Sequence, residues 1–292
     1  MNLTSSKNVA LSVEGMAVRM MAYSGKKVEA WYELPLNSAW VRNGIISRPD
    51  EVGKAIAASM EEHKLPHKGA VSALPGTGSS GQVLNLPGIK KDRIGEAATR
   101  ELKRLAPGTN TENEYILTEM LPKKGSQQGV YTLTVPKRNV LNFMEACQTA
   151  GLGVKSIELT PFALARAVGC ENGIIVHAEV DNIEIVIVQG SFPASFRTVV
   201  VQSGAGPEAA AQQLLNELPR TIDYYNRSHQ EAPLADDTPV YLSGALALDP
   251  ELVMGVVDVT GREVANAEPT VEYPPEFPLA QYMAHVGLML GN

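Results

Sequence analysis

Cysteine is scarce in these 292 residues, with only Cys147 and Cys170 present. Their spacing makes neither a redox pair nor a metal knuckle, so both are read as reduced, buried thiols of a cytoplasmic protein. No Cys/His/carboxylate cluster runs along the chain, and among five histidines Pro66 breaks the spacing of His63 and His67. No metal site is therefore expected. Long apolar runs are missing too. Nothing approaches the ~20 apolar residues of a spanning helix, and residues 1–7 are polar with no apolar core behind them. Neither a membrane insertion nor a signal peptide is expected, and any membrane association would come through a partner. Excess basic charge is also absent. A net charge of −7 argues against nucleic acid as a partner.

What remains is the composition of a soluble globular protein, 44% apolar and 20% charged, long enough for one large or two moderate domains. Its organising stretch is residues 174–200, which reads strand, turn, strand, turn, strand. The same pattern stands near the N-terminus, from Val9 through turns at Gly15 and Gly25 to Leu34. The offset is constant, since 174 − 9 and 190 − 25 both give 165. Further on, Ala70-Val-Ser-Ala-Leu-Pro-Gly answers to Pro239-Val-Tyr-Leu-Ser-Gly-Ala, an offset of 169 between Val71 and Val240. Two half-chains opening alike and later carrying a short buried strand suggest duplicated lobes facing each other across a cleft.

Helical spacing follows each meander. Pro49-Asp-Glu opens a helix to about His63, and residues 91–105 place Ile94, Ala98, Leu102 and Leu105 on one side against a charged face. Residues 115–121 and 129–135 alternate like antiparallel strands. Together with that helix they make a small α+β insert. Helices are expected from Pro136, over 161–168, from Pro207 past Pro219 and over 279–290, with short strands at 256–260 and 264–267. The class is mixed α/β.

Several stretches resemble the PilM family of type IV pilus assembly proteins, actin-like and related to the division protein FtsA. They are Ile157-Glu-Leu-Thr-Pro-Phe-Ala-Leu-Ala-Arg-Ala167, the preceding helix ending in Ala-Gly-Leu, Ala73-Leu-Pro-Gly76, the helix at 96–107, Asp223-Tyr-Tyr, Tyr241-Leu-Ser-Gly244 and the closing Val-Gly-Leu. In order and spacing they cover almost the whole chain. The resemblance implies an actin-like fold of two duplicated ribonuclease H-like lobes. Residues 1–82 and 136–170 would form the first lobe, 83–135 the inserted subdomain, and 171–292 the second lobe, with a helical part at about 204–235. It implies a cytoplasmic scaffold of a pilus, competence or secretion-type machine. Such a scaffold is peripheral to the inner face of the cell membrane and binds the cytoplasmic peptide of a PilN-like single-pass protein, in contact with pilus motor or platform components. Arg93, Arg100 and Arg104 would receive the partner in a groove between the first lobe and the insert.

Members of this family often bind ATP, which calls for an Asp to hold hydrated magnesium, a glycine for close backbone approach and small hydroxyl residues. Here the first turn reads Ser12-Val13-Glu14-Gly15, with Ser12 where the Asp would stand and Glu14 where the first Gly would. In the second turn His177 or Val176 replaces the Asp and Glu179 the Gly; Thr160 replaces an acidic residue before the connecting helix. A carboxylate ~4 Å from a phosphate costs roughly 1 kcal/mol in water and several in a cleft. The resemblance thus implies a degenerate nucleotide cleft lined by Ser12, Gly15, Ser203, Gly204, Gly206, Ser243 and Gly244, with neither ATP nor magnesium as cofactor: a pseudo-ATPase and not an enzyme. Glu14 and Glu179 are read as exposed turn residues. The alternative is an actin-like ATPase that still binds ATP between its lobes.

Overall fold

A computed structural model describes residues 7–88, 90–105, 111–122, 127–202 and 204–292, residue 127 by its backbone alone. The chain divides into two compact units. One comprises residues 1–77 and 142–292, the other 78–141.

The larger unit opens with the antiparallel meander β1 (Asn8–Glu14), β2 (Ala17–Ser24) and β3 (Lys27–Pro35). Strands β1 and β2 are buried nearly throughout, as central strands covered on both faces are, whereas β3 alternates like an edge. A short hairpin of β4 (Val41–Arg42) and β5 (Ile45–Ile46) leads to α1 (Pro49–Glu62). Pro49, with Asp50 and Glu51 in the first turn, starts this helix, and Val52, Ile56 and Met60 bury one face. Strand β6 (Lys68–Leu74) then pairs parallel to β1.

The smaller unit is a three-stranded antiparallel sheet of β7 (Ser80–Pro87), β8 (Glu114–Met120) and β9 (Gln127–Pro136), in the order β7-β9-β8. The helix α2 (Ile94–Leu105) lies on one face, where Ile94, Ala98 and Leu102 pack on Leu84, Leu86 and Val130.

Helix α3 (Lys137–Thr149) leads to β10 (Gly153–Leu159), which pairs parallel to β6 and runs straight into α4 (Thr160–Val168). The second meander is β11 (Gly173–Ala178), β12 (Asn182–Gln189) and β13 (Phe192–Val200). Then come α5 (Gly206–Ser228), unbroken across Pro219, β14 (Val240–Ser243), α6 (Pro250–Thr260), β15 (Val264–Ala265) and α7 (Met283–Leu290).

The two five-stranded sheets share one topology. Their orders are β3-β2-β1-β6-β10 and β13-β12-β11-β14-β15. Counted among the strands of its own sheet in chain order, each sheet places the third, second, first, fourth and fifth side by side, antiparallel within the meander and parallel beyond it. The helix after each fifth strand comes to the same place, α4 against α7. They approach so closely that a Cβ on Gly287 would stand 1.9 Å from the Ala163 carbonyl oxygen.

Two expectations are corrected. Residues 256–260 are not a strand but the end of α6. Asp249 caps that helix by accepting the Glu251 N–H at 2.9 Å, Pro250 fills its first turn, and Leu252 and Val256, four apart, bury into the second-lobe core. The last helix begins at Met283, because turns occupy 279–282.

Candidate functional site

Each meander's first turn brings a glutamate inward. Strand β1 ends at Glu14, β11 is followed at once by Glu179, and both are buried, at 5% and 4% exposure. The reading of these two as exposed turn residues is therefore overturned. The reason is Arg19, itself 3% exposed on β2. Its Nη1 donates to Glu14 Oε2 at 2.6 Å and to Glu179 Oε1 at 2.7 Å, its Nη2 to Glu179 Oε2 at 3.1 Å and its Nε to Glu33 Oε2 at 2.8 Å. One guanidinium thus ties the two turns together, and its planar fork suits such multidentate binding.

Ser12, His285, Ala245 and Ser243 surround this ion pair with further hydrogen bonds. Ser12 Oγ donates to Glu14 Oε1 at 2.6 Å. His285, fully buried on α7, holds its Nε2 3.0 Å from both Ser12 Oγ and the Arg19 carbonyl oxygen. A carbonyl only accepts, so Nε2 carries the proton. Ala245 N–H donates to Glu179 Oε1 at 3.0 Å, and Ser243 Oγ lies 2.9 Å from His177 Nδ1. The turn after β14 reaches this spot because Gly244, at φ +90°, passes where a Cβ would stand 2.5 Å from the Ala178 carbonyl oxygen.

The electrostatics follow from burial and neighbours. Burial alone would raise the Glu14 carboxyl, but His177, His285 and Arg19 outweigh it and hold the group well below the carboxylate range. Burial opposes charge on His177, yet Glu14, Glu179 and Glu184 raise its pKa. His285 moves the other way, lowered by burial. Glu184 on β12 is pushed up to about 7 by burial, although its Oε1 accepts the Gly76 N–H. A raised carboxylate is least costly when protonated. Between its ordinary value of 4.5 and about 7 the unfolded chain releases that proton first, so this group lowers stability as pH rises. Glu184→Gln is expected to raise stability at pH 8 by up to about 3 kcal/mol and to leave it nearly unchanged at pH 4. Urea melts at both values check this.

The residues picked out for a cleft separate into three sets. Ser12 and Ser243 belong to the network. Gly15 lies at the meeting of the two turns, where an added Cβ would stand 3.2 Å from Asp181 Oδ1 and 3.7 Å from Glu179 Oε2; Gly244 makes the close approach already described. Gly204 and Gly206 stand before and at the start of α5, in open space and outside the network's contacts. Ser203 lies outside the described residues. In the smaller unit Arg93, Arg100 and Arg104 are exposed, spaced by seven and four residues so that they share one side of the helical stretch, away from its buried stripe. Arg104 is engaged with Glu101 at 2.6 Å.

Sequence reading missed Arg19 and His285 and gave His177 no partner. A signal was present: each is a charged or polar residue inside an apolar run. Folding also brings one atom each of Glu14, His177 and Glu179 within 4.8 Å of one another, a grouping that the linear sequence does not display.

No protein-family model matches the sequence, and no curated protein does. Solved structures do match. The chain superposes on a chain of the PilM-PilN type IV pilus biogenesis complex with a TM-score of 0.79, covering 98% of both chains at 17% identity. The fold is actin-like. The cytoplasmic domain of EpsL, an inner membrane component of the type II secretion system of Vibrio cholerae, gives 0.58 at 14% identity over 97% of this chain and 95% of that one. MreB 5 of Spiroplasma citri bound to AMPPNP gives 0.52 at 10% over 97% and 95%. In this actin-like chain the first turns of the two meanders meet at Arg19, between two glutamates. Among the described residues, no helix is long and apolar enough to cross a membrane.

Proposed function

We propose that this chain is a docking scaffold of a pilus or secretion-type assembly machine that works without hydrolysing ATP. The observation carrying this reading is the Arg19 bridge. Glu14 and Glu179 place carboxylates at the turns where an actin-like ATPase would receive phosphates, and the guanidinium that neutralises them is held by both. A triphosphate entering there would have to break a buried ion pair and face two desolvated carboxylates, each several kcal/mol unfavourable. Millimolar Mg-ATP is expected to leave the melting temperature unchanged within about 1 °C, since only a ligand that binds the folded state stabilises it. A rise of several degrees would favour the other reading, an actin-like ATPase with a working cleft.

Resemblance to the PilM-PilN complex supports a partner of the PilN kind, a single-pass membrane protein whose cytoplasmic peptide docks on this chain. Such a partner would hold the chain at the inner face of the cell membrane beside motor or platform components. The smaller unit offers the surface. Arg93 and Arg100 project from one side of the helical stretch, away from its buried stripe. Arg93→Glu with Arg100→Glu is expected to weaken binding of that peptide about tenfold or more, measured by fluorescence anisotropy at low salt. Unchanged affinity in the double variant would remove these arginines from the docking surface.

A further inference from the structure

We propose that the groove flanked by α6, the edge strand β15 and residues 277–283 docks a cationic amphipathic helix of a partner protein. The case begins with α6, which is apolar on two sides. Leu252 and Val256 bury into the second-lobe core. Pro250, Val253, Met254 and Val257 stand at i, i+3, i+4 and i+7 on the other side, the stripe by which one helix packs on another. That second stripe faces outward, with Met254 at 60% and Val257 at 40% exposure, and Leu248 just before the helix at 77%. A surface helix ordinarily buries one apolar face and turns charge to water. The charged residues of α6 are only Glu251 and Asp258.

Beside the stripe lies a groove of about 700 Å³, lined by Leu248, Val253, Met254, Val264, Pro278 and Leu279 among others, with no charged residue in its wall. A space of that size holds a few buried anchor side chains. One flank, β15, is the last strand of the second sheet, so the groove runs along a sheet edge. Contiguous exposed apolar surface rimmed by polar residues marks an interaction site.

Charge selects the occupant. Residues 249–292 carry seven Asp and Glu and one arginine, a net −6 against −7 for the whole chain. The carboxylates stand next to the lining in sequence: Asp249 and Glu251 beside Pro250, Glu263 beside Val264, Glu268 beside Ala267 and Glu276 beside Phe277, all five exposed. Arg262 does not offset them at the surface. It is 6% exposed, and its Nη1 donates inward to the carbonyl oxygens of Ala235, Asp236 and Thr238 at 2.6–3.1 Å. An apolar floor with an acidic rim repels an acidic segment and attracts a helix that carries Lys or Arg beside its apolar anchors.

The test uses the full chain and a fluorescein-labelled synthetic peptide of about 18 residues, five helical turns, with Leu at i, i+3, i+4 and i+7 and Lys on its polar face. Anisotropy should saturate at one peptide per chain, and affinity should fall about tenfold between roughly 0.05 and 0.3 M salt. An analogue with Glu for every Lys should bind at least about tenfold more weakly. Leu248→Asp and Met254→Asp, at exposed positions, should each weaken the Lys peptide about tenfold or more. Glu263→Lys with Glu268→Lys should do the same, whereas Asp249 is left in place because it caps α6. Arg93→Glu with Arg100→Glu should change nothing, which separates this groove from the docking surface of the smaller unit. No binding, equal affinity of the two peptides, or unchanged affinity in both aspartate variants overturns the proposal. If the aspartate variants do not fold, the paired lysine variant decides in the same way. Sedimentation of the chain alone adds one further outcome: a dimer that Leu248→Asp dissociates would assign the stripe to a second copy and overturn the proposal as well.

Discussion

Arg19→Met is expected to cost about 3–5 kcal/mol of folding stability, enough to leave the chain partly unfolded at room temperature. Methionine keeps much of the volume of the arginine stem but removes the only guanidinium between Glu14 and Glu179, both almost fully buried. Two carboxylates would then remain in low dielectric with two buried histidines and the Ser12 and Ala245 donors but no guanidinium opposite them, the situation in which breaking a buried pair is far costlier than never having made it. The pH dependence should weaken as well. With Arg19 in place, Glu14 is held below its ordinary value of 4.5, so its contribution is present above that value and fades as the solution becomes more acidic. Without Arg19 part of that support is lost, while His177, its largest source, remains, so the Glu14 contribution should shrink and fade at less acidic pH. Replacing all three groups, Arg19→Met with Glu14→Gln and Glu179→Gln, should recover most of the loss, because no charge is then stranded. Denaturant melts of the single and triple variants measure both effects. A single-variant loss under about 1 kcal/mol would mean the bridge is not a structural clamp.

Gly287→Ala should be nearly as severe, about 3 kcal/mol or more, at the upper end of overpacking costs. The new methyl carbon would stand 1.9 Å from the Ala163 carbonyl oxygen and 2.5 Å from its carbon. These are backbone atoms of α4, so no rotamer change relieves the contact and the helices must part. The consequence travels to the site, since His285 stands two residues earlier on α7 and contacts Ser12 Oγ and the Arg19 carbonyl. Differential scanning calorimetry should record a drop of several degrees at least. Gly95→Ala in the exposed face of α2, where an added Cβ meets nothing within 4 Å, should instead raise stability by up to about 1 kcal/mol.

Much of the architecture could be read from local pattern. The constant offset between the meanders anticipated two sheets of one topology, because alternation and turn chemistry are short-range properties that a linear sequence carries intact. Where local signals competed, reading failed. Residues 256–260 are rich in β-branched side chains and suggested a strand, but an upstream cap and the Leu252–Val256 spacing against the second-lobe core made a helix.

The sequence by itself determined the class and the duplication. It also determined that no apolar run is long enough for a spanning helix. Only the tertiary structure decided what the residues of the two turns do. Arg19 meets a glutamate 160 positions away, and a histidine 266 positions away contacts its backbone. Burial converts what looked like separate solvated turns into a single shared charge site. Which charge finds which across such separations depends on how two sheets and two closely packed helices come together, and no local pattern encodes that meeting.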